Sequence, residues 1–408
     1  MSRENTEKRD TEAFGPAEIT GVENLARTEA LGILGWAQAE PERSRRAVVF
    51  SGRSSAGAAA LAVARHLSNF GVAIRTLVCG PGHRLSPLAA AEHGILEAMR
   101  ISIEEDLSAS ALEEAASGVG PDDALVDGTE CAAPGREEEF AAACRSGAEG
   151  AGLRVRLEPV PDYRPPAPGE TDVIFTPDAP PRSREDVRLL DGIAIDRYRI
   201  PGIVLMENAG WRAAREAWAM LGFRASGPVL VLAGAGNNGG DGFVLARHLK
   251  GWGVDVRCIL FAPRERVLDD ARTNLELAEA AGVEVEKAPM PEVVDARLGG
   301  ALDELEHAGG GIVADALLGT GLSGRVRAAP GRAIEMLSER KPRILAVDTP
   351  SGLDANTGEV LGASTTAERT VTFAFPKPGF TLGEGPARSG EVIVADISMP
   401  RALWESGD

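Results

Sequence analysis

Pro228-Val-Leu-Val-Leu-Ala-Gly-Ala-Gly-Asn-Asn-Gly-Gly-Asp-Gly-Phe-Val-Leu-Ala-Arg-His-Leu-Lys250 decides the fold of half of this chain. Its opening is a continuous apolar run, the pattern of a parallel strand buried on both faces. A glycine-rich turn follows, and from Gly242 the apolar residues fall at helical spacing. Outward from this unit the alternation continues. Strands are predicted at Val254–Phe261, Gly311–Ala314, Arg343–Val347, Val371–Phe375 and Val392–Ala395. Helices are predicted at Ala271–Ala281 and at Pro330–Arg340, the latter with proline in its first turn. Alternating β and α elements imply an α/β fold with a doubly wound, mostly parallel sheet.

The same unit occurs earlier. Ala62-Val-Ala-Arg-His-Leu67 echoes Val244-Leu-Ala-Arg-His-Leu249 at an offset of 182 residues. At that offset Gly52 matches Gly234, Gly57 matches Gly239, Gly71 matches Gly253 and Arg75 matches Arg257, without a gap from Ala47 to about Ile103. Ala133-Pro-Gly-Arg136 later echoes Ala329-Pro-Gly-Arg332. Any two βαβ units share one short match; a gap-free run with a second match in the same order indicates tandem duplication. Proline clusters at Asp162–Gly169 and Pro177–Arg182 separate the copies. The expected organisation is a polar, disordered tail at 1–16, one α/β domain at 17–165 and a second at 181–408.

Composition narrows the function. The 408 residues carry a formal net charge of -18, which argues against a nucleic-acid binder. The start, Met1–Asp10, is charged, and no stretch approaches a membrane span. Cys79, Cys131, Cys144 and Cys258 are dispersed, as reduced, buried thiols are. A cytoplasmic protein bound to neither membrane nor nucleic acid is expected.

Ligands of such sheets bind beyond the C-terminal ends of the strands. In the second copy those ends carry Gly234-Ala-Gly-Asn-Asn-Gly-Gly-Asp-Gly242, Asp315-Ala-Leu-Leu-Gly-Thr-Gly-Leu-Ser-Gly-Arg325 and Asp348-Thr-Pro-Ser-Gly-Leu-Asp354. Each loop is glycine-rich and each has an aspartate. The first contains GxGxxG, but the strand Val254–Phe261 ends without the acid that holds a ribose in a conventional dehydrogenase. Asn237, Asn238 and Asp241 exceed what a helix-capping turn needs, and suit a hard cation or hydrogen bonds to sugar and amide groups.

Asn237-Asn-Gly-Gly-Asp-Gly242, Asp315–Leu322 and Asp348-Thr-Pro-Ser-Gly352, with Leu205-Met-Glu-Asn-Ala-Gly210, Lys377-Pro-Gly379 and Gly390-Glu-Val392, resemble in order and spacing the motifs of the NAD(P)H-hydrate epimerases, the YjeF N-terminal domain family. The resemblance spans about Asp186 to Ser398. Thr349 stands where Ile or Val is common, and Asn356 where Asp is common. The resemblance implies a Rossmann-like three-layer α/β/α sandwich, duplicated here in tandem. It implies an isomerase that interconverts the R and S epimers of NADH or NADPH hydrated at C6 of the nicotinamide. That nucleotide is then substrate, not cofactor. Asn237, Asn238, Gly239, Gly240, Asp241, Gly319, Thr320, Gly321, Leu322, Ser323, Gly324, Arg325 and Asp348 would line it. Potassium, one ion per intact domain, would be held by Asn238, Asp315 and Ser351.

The residue chemistry fits those roles. Gly319, Gly321 and Gly324 let backbone N–H groups approach a pyrophosphate, and Arg325 can pair with it. C6 of the hydrate is a carbinolamine carbon, so inversion through an iminium needs a carboxyl acid/base. Asp315 is the first candidate and Asp348 the second, though Asp315 cannot easily be both cation ligand and free base. His248 reads as a packed or surface imidazole, and Glu207 as a cap or loop-orienting group.

The first copy lacks this chemistry. Ser55, Ala56 and Ala59 replace Asn237, Asn238 and Asp241 at the 182 offset. Asp127 matches Asp315, but Pro134 follows it after 7 residues where Pro330 follows Asp315 after 15. If Pro161 matches Pro350, Pro159 stands for Asp348. No stretch resembles a ribokinase-like dehydratase, so a separate S-specific dehydratase is the expected pathway partner. A homodimer or an intrachain pseudo-dimer is the expected assembly. The competing readings are a non-catalytic nucleotide-binding or assembly scaffold, and a conventional oxidoreductase.

Overall fold

The computed structural model describes residues 15–39, 45–79, 85–105, 107–129, 136–157, 179–309, 311–322 and 324–405. Residues 1–14, the linker Asp162–Gly169 with the first two residues of the linker Pro177–Arg182, Cys131 and Ser323 lie outside them. The chain divides into two compact units. The described residues of Met1–Pro165 with Ile193–Val204 form one, and those of Thr176–Gly192 with Leu205–Asp408 the other. Ile193–Val204 was expected in the second domain. Its Tyr198, Ile200 and Val204 are buried.

In the first unit, strands β1 (Arg46–Ser51), β2 (Ala73–Val78), β3 (Ile103–Glu105), β4 (Asp123–Gly128) and β5 (Leu153–Arg156) form a parallel sheet of order β3-β2-β1-β4-β5. In the second, β6 (Val229–Ala233), β7 (Val256–Leu260), β8 (Glu284–Lys287), β9 (Ile312–Ala316), β10 (Ile344–Val347), β11 (Arg369–Phe373) and β12 (Glu391–Ala395) form a parallel sheet of order β12-β11-β10-β9-β6-β7-β8. The central strand β6 is wholly buried, as its apolar run requires. Edge strand β8, Glu-Val-Glu-Lys, has no apolar run and is half-exposed, so periodicity did not reveal it.

The duplication is visible in three dimensions. The helices Ser55–Asn69 and Asn237–Gly251 coincide at the 182 offset. A Cβ on Gly57 would lie 2.0 Å from the Gly52 carbonyl oxygen, and one on Gly239 would lie 2.0 Å from that of Gly234. The helix start crosses the strand end too closely for any side chain, which explains why both copies carry these glycines. Phe50 of β1 faces Asp127 and Leu232 of β6 faces Asp315, so Asp127 is the counterpart of Asp315. Asp127 pairs with Arg156 and Asp315 with Ala346. Counting on from there, the position matching Asp348 is 158 rather than 159; both lie outside the described residues.

One repeated feature escaped the sequence reading. Glu23 binds Arg65 and His66, and Glu207 binds Arg247 and His248 in the same way, both imidazole contacts being 2.7 Å. Glu23-Asn24 and Glu207-Asn208 are offset by 184, two residues out of register with the glycines. His248 is 4% exposed and its ring lies tilted against Trp252, centroids 5.7 Å apart. Glu207 is therefore an interior counter-charge and His248 a packed imidazole. The described cysteines Cys79, Cys144 and Cys258 are buried free thiols.

Candidate active site

Four adjacent strands of the second sheet, β11-β10-β9-β6, bring their C-terminal ends together, and the loops after them carry the site. After β6, Gly236 caps the helix Asn237–Gly251 with its backbone alone. Asn237 is exposed, whereas Gly239 and Gly240 are buried. Both side-chain polar atoms of Asn238 are buried without a hydrogen-bond partner. A Cβ on Gly319 would stand 3.1 Å from the Asn238 side chain, so the loop after β9 closes on the loop after β6 at that amide.

Asp315, fully buried at the end of β9, spends its carboxylate on the fold. Oδ1 accepts from Ser351 Oγ at 2.6 Å and Leu317 N at 3.3 Å; Oδ2 accepts from Thr365 Oγ1 at 2.6 Å and Ser351 N at 2.9 Å. Ser351 Oγ also accepts from Leu318 N at 2.9 Å. One carboxylate thereby ties together the loops after β9 and β10. Burial pushes its pKa up, and the Ser351, Thr365 and Leu317 donors oppose that.

Asp348, 9% exposed, follows β10 with a left-handed φ of 65°. Such backbone is uncommon outside glycine and clusters at functional sites. Its Oδ1 accepts from Lys377 Nζ at 2.6 Å. The ammonium, 2% exposed at the residue level, also donates to Thr372 Oγ1 at 2.7 Å and to the Phe373 carbonyl at 3.2 Å. All three of its N–H bonds are thus committed. Sequence reasoning placed Lys377 in a motif but gave it no role; only the fold brings it to Asp348.

Two further carboxyls face this pair. Burial pushes Asp241 well above the carboxylate range, aided by negative Asp348 and Asp191 and opposed by Lys377. Burial also pushes Asp191, on the helix Arg184–Asp196, up to about 6, with Lys377 opposing and Asp348 adding. Asp191 had no motif to betray it.

The remaining predicted residues line the rim. Arg184 Nη1 donates to the Leu322 carbonyl at 2.8 Å, and Arg188 Nη2 to that of Thr320 at 3.4 Å. Gly321, Gly324 and Arg325 are exposed, with Thr320 and Leu322 half-buried. The Arg325 side chain lies across Gly362, where a Cβ would come within 2.6 Å of its Cγ. Asn356 accepts from Arg184 N at 2.9 Å and donates to Glu185 at 2.7 Å; an aspartate could not make the second bond. Thr349 is buried with an unpartnered hydroxyl, and the described structure offers no reason for it. Among the described residues no three His, Cys, Asp or Glu side chains form a metal-holding group. No described helix is long and apolar enough to cross a membrane.

The sequence profile of the family described as YjeF-related protein N-terminus matches residues 22–140 and again 202–379. The chain belongs to this family and carries its domain twice. It is 37% identical over 234 residues to the NAD(P)H-hydrate epimerase of Rhodopirellula baltica, covering 57% of this chain and 91% of that one. It is 39% identical over 220 residues to the bifunctional NAD(P)H-hydrate repair enzyme Nnr of Thermofilum pendens, and 40% identical over 215 residues to that of Moorella thermoacetica. Those matches cover 54% and 52% of this chain but only 40% and 39% of the bifunctional relatives.

Proposed function

We propose that the second unit is an NAD(P)H-hydrate epimerase, an isomerase that inverts C6 of hydrated NADH or NADPH. The observation that carries this reading is the convergence of Asn237–Asp241, Gly319–Leu322 and the Asp348–Lys377 pair on one sheet end. Backbone N–H groups of Asn237–Asp241 and Gly319–Gly324, with Ser323 and Arg325, would hold the dinucleotide. Asp348, held by Lys377, is assigned the base that activates the incoming water. Asp315, whose oxygens accept four hydrogen bonds, is assigned to loop closure and cation binding. The domains at 17–165 and 181–408 are read as a degenerate and an intact copy. The pathway partner is a separate S-specific dehydratase, a reading in keeping with relatives named as bifunctional NAD(P)H-hydrate repair enzymes. Turnover is placed in the cytoplasm, where buried thiols stay reduced. The test is conversion of the pure R epimer, coupled to a separate S-specific dehydratase. Nucleotide binding without turnover would make the protein a scaffold, and hydride transfer would make it an oxidoreductase.

Potassium fits the residues. The Asn238 amide oxygen is buried and unpartnered, and Asp315 and Ser351 add oxygens with a single formal charge among the three. Divalent ions call for more carboxylates, and zinc for nitrogen or sulfur. The ion would supply a fixed positive charge that orders the loops. Epimerisation is expected to survive EDTA and to fall when lithium replaces potassium. Loss on chelation, restored by magnesium or zinc, would overturn the assignment.

A further inference from the structure

Asp241 is 8% exposed and has no hydrogen-bond partner among the described residues, and the half-buried Asp191 has none either. Every other buried carboxylate of this sheet end is bonded: Asp315 by Ser351, Thr365 and Leu317, Asp348 by Lys377. Lys377 has no N–H left to give. A buried carboxylate with neither donor nor counter-ion is costly enough that it takes a proton instead. The elements packed around Asp241 contribute Asp348 after β10, Asp191 from the helix Arg184–Asp196, and Lys377 after β11. Two negative groups against one already committed ammonium favour the neutral acid. A carboxylate kept for the helix dipole alone would instead be ionised and dispensable.

Building on the epimerase reading, we propose that Asp241 is the proton donor to the departing C6 hydroxyl, and that Asp191 is the positioning residue that returns its proton. The carboxyl proton of Asp241 passes to the hydroxyl oxygen, the C6–O bond breaks and water leaves. The N1 lone pair closes the N1=C6 iminium. Water then adds to the opposite face, its oxygen bonding C6 as the electron pair returns to N1. Its proton goes to Asp348. Asp191, which faces both Asp348 and Asp241, carries that proton back, so the cycle consumes nothing.

The test uses the full-length chain and Asp241→Asn, which keeps the shape and the neutrality of the acid. On the R epimer kcat is expected to fall about 100-fold or more, the usual range for a lost general acid, with KM nearly unchanged. Wild-type activity should decline as the pH rises through the elevated pKa of Asp241, and this alkaline limb should vanish in the variant. Asp191→Asn should shift the limb without abolishing turnover. Independently of activity, the infrared carbonyl absorption of protonated carboxyls at neutral pH should lose one component in Asp241→Asn relative to the wild type. Wild-type kcat and pH profile in Asp241→Asn, or carbonyl absorption identical to that of the wild type, would overturn the proposal. A wild-type chain that shows that component but does not epimerise would sink the functional reading, and the donor role with it.

Discussion

Asp315→Ala is expected to abolish epimerisation, while Asp127→Ala leaves it unchanged. Removing the Asp315 carboxylate strips the acceptor from Ser351 N, Ser351 Oγ, Thr365 Oγ1 and Leu317 N at once. Buried donors left unsatisfied cost about 1–3 kcal/mol each, so the loops after β9 and β10 will rearrange rather than stay in place. Misplacement of about 1 Å is enough for a roughly 100-fold loss of rate. Asp127 occupies the equivalent register position, but its Oδ1 accepts from Thr129, at 3.1 Å from N and 2.6 Å from Oγ1, and its carboxylate bonds the Cys144 thiol, so among the described residues it ties no second strand-end loop in the way Asp315 does. The helix after the neighbouring strand β1 carries Ser55, Ala56 and Ala59 in place of Asn237, Asn238 and Asp241. Asp127→Ala should therefore loosen the first unit in a thermal melt without touching turnover. Equal loss of epimerisation from both variants would show that the first unit contributes chemistry.

Lys377→Met is expected to destabilise the second unit strongly. Asp348 and Thr372 would keep their buried positions without the ammonium that joins them. Breaking a buried ion pair from one side costs about 3–5 kcal/mol, because the remaining charge is uncompensated. For a unit of this size the melting temperature should drop on the order of 10 °C. Adding Asp348→Asn should restore most of that loss, since the double variant leaves no orphaned charge. It should not restore epimerisation. An unchanged melting temperature in Lys377→Met would mean that the pair carries no net stability, and Lys377 would then have to be assigned to substrate contact alone.

Much of this protein is local in its sequence. The apolar run Val229–Ala233, the glycine turn and the helix from Asn237 are consecutive, so their order follows from backbone propensity and periodicity. Gly52 with Gly57, and Gly234 with Gly239, report a close backbone crossing that any reader of the repeat can find. The loops that gather at the site were legible too, because a parallel sheet places every strand end on one side. Strand β8 was not, since an edge strand of charged residues has no burial pattern to show.

What the sequence by itself determined is therefore the doubly wound fold, its duplication, and which copy keeps the Asn-Asn-Gly-Gly-Asp and Gly-Thr-Gly loops. Only the tertiary structure decided which carboxyls are charged. Asp191, Asp241, Asp348 and Lys377 come from four separate stretches of chain, and the upward shifts of Asp191 and Asp241 follow from burial and from those neighbours. The same holds for Glu23 with His66 and Glu207 with His248, whose pairing crosses between helices. A carboxylate's identity is written in the sequence. Its solvation, its donors and its neighbouring charges exist only once distant segments have packed.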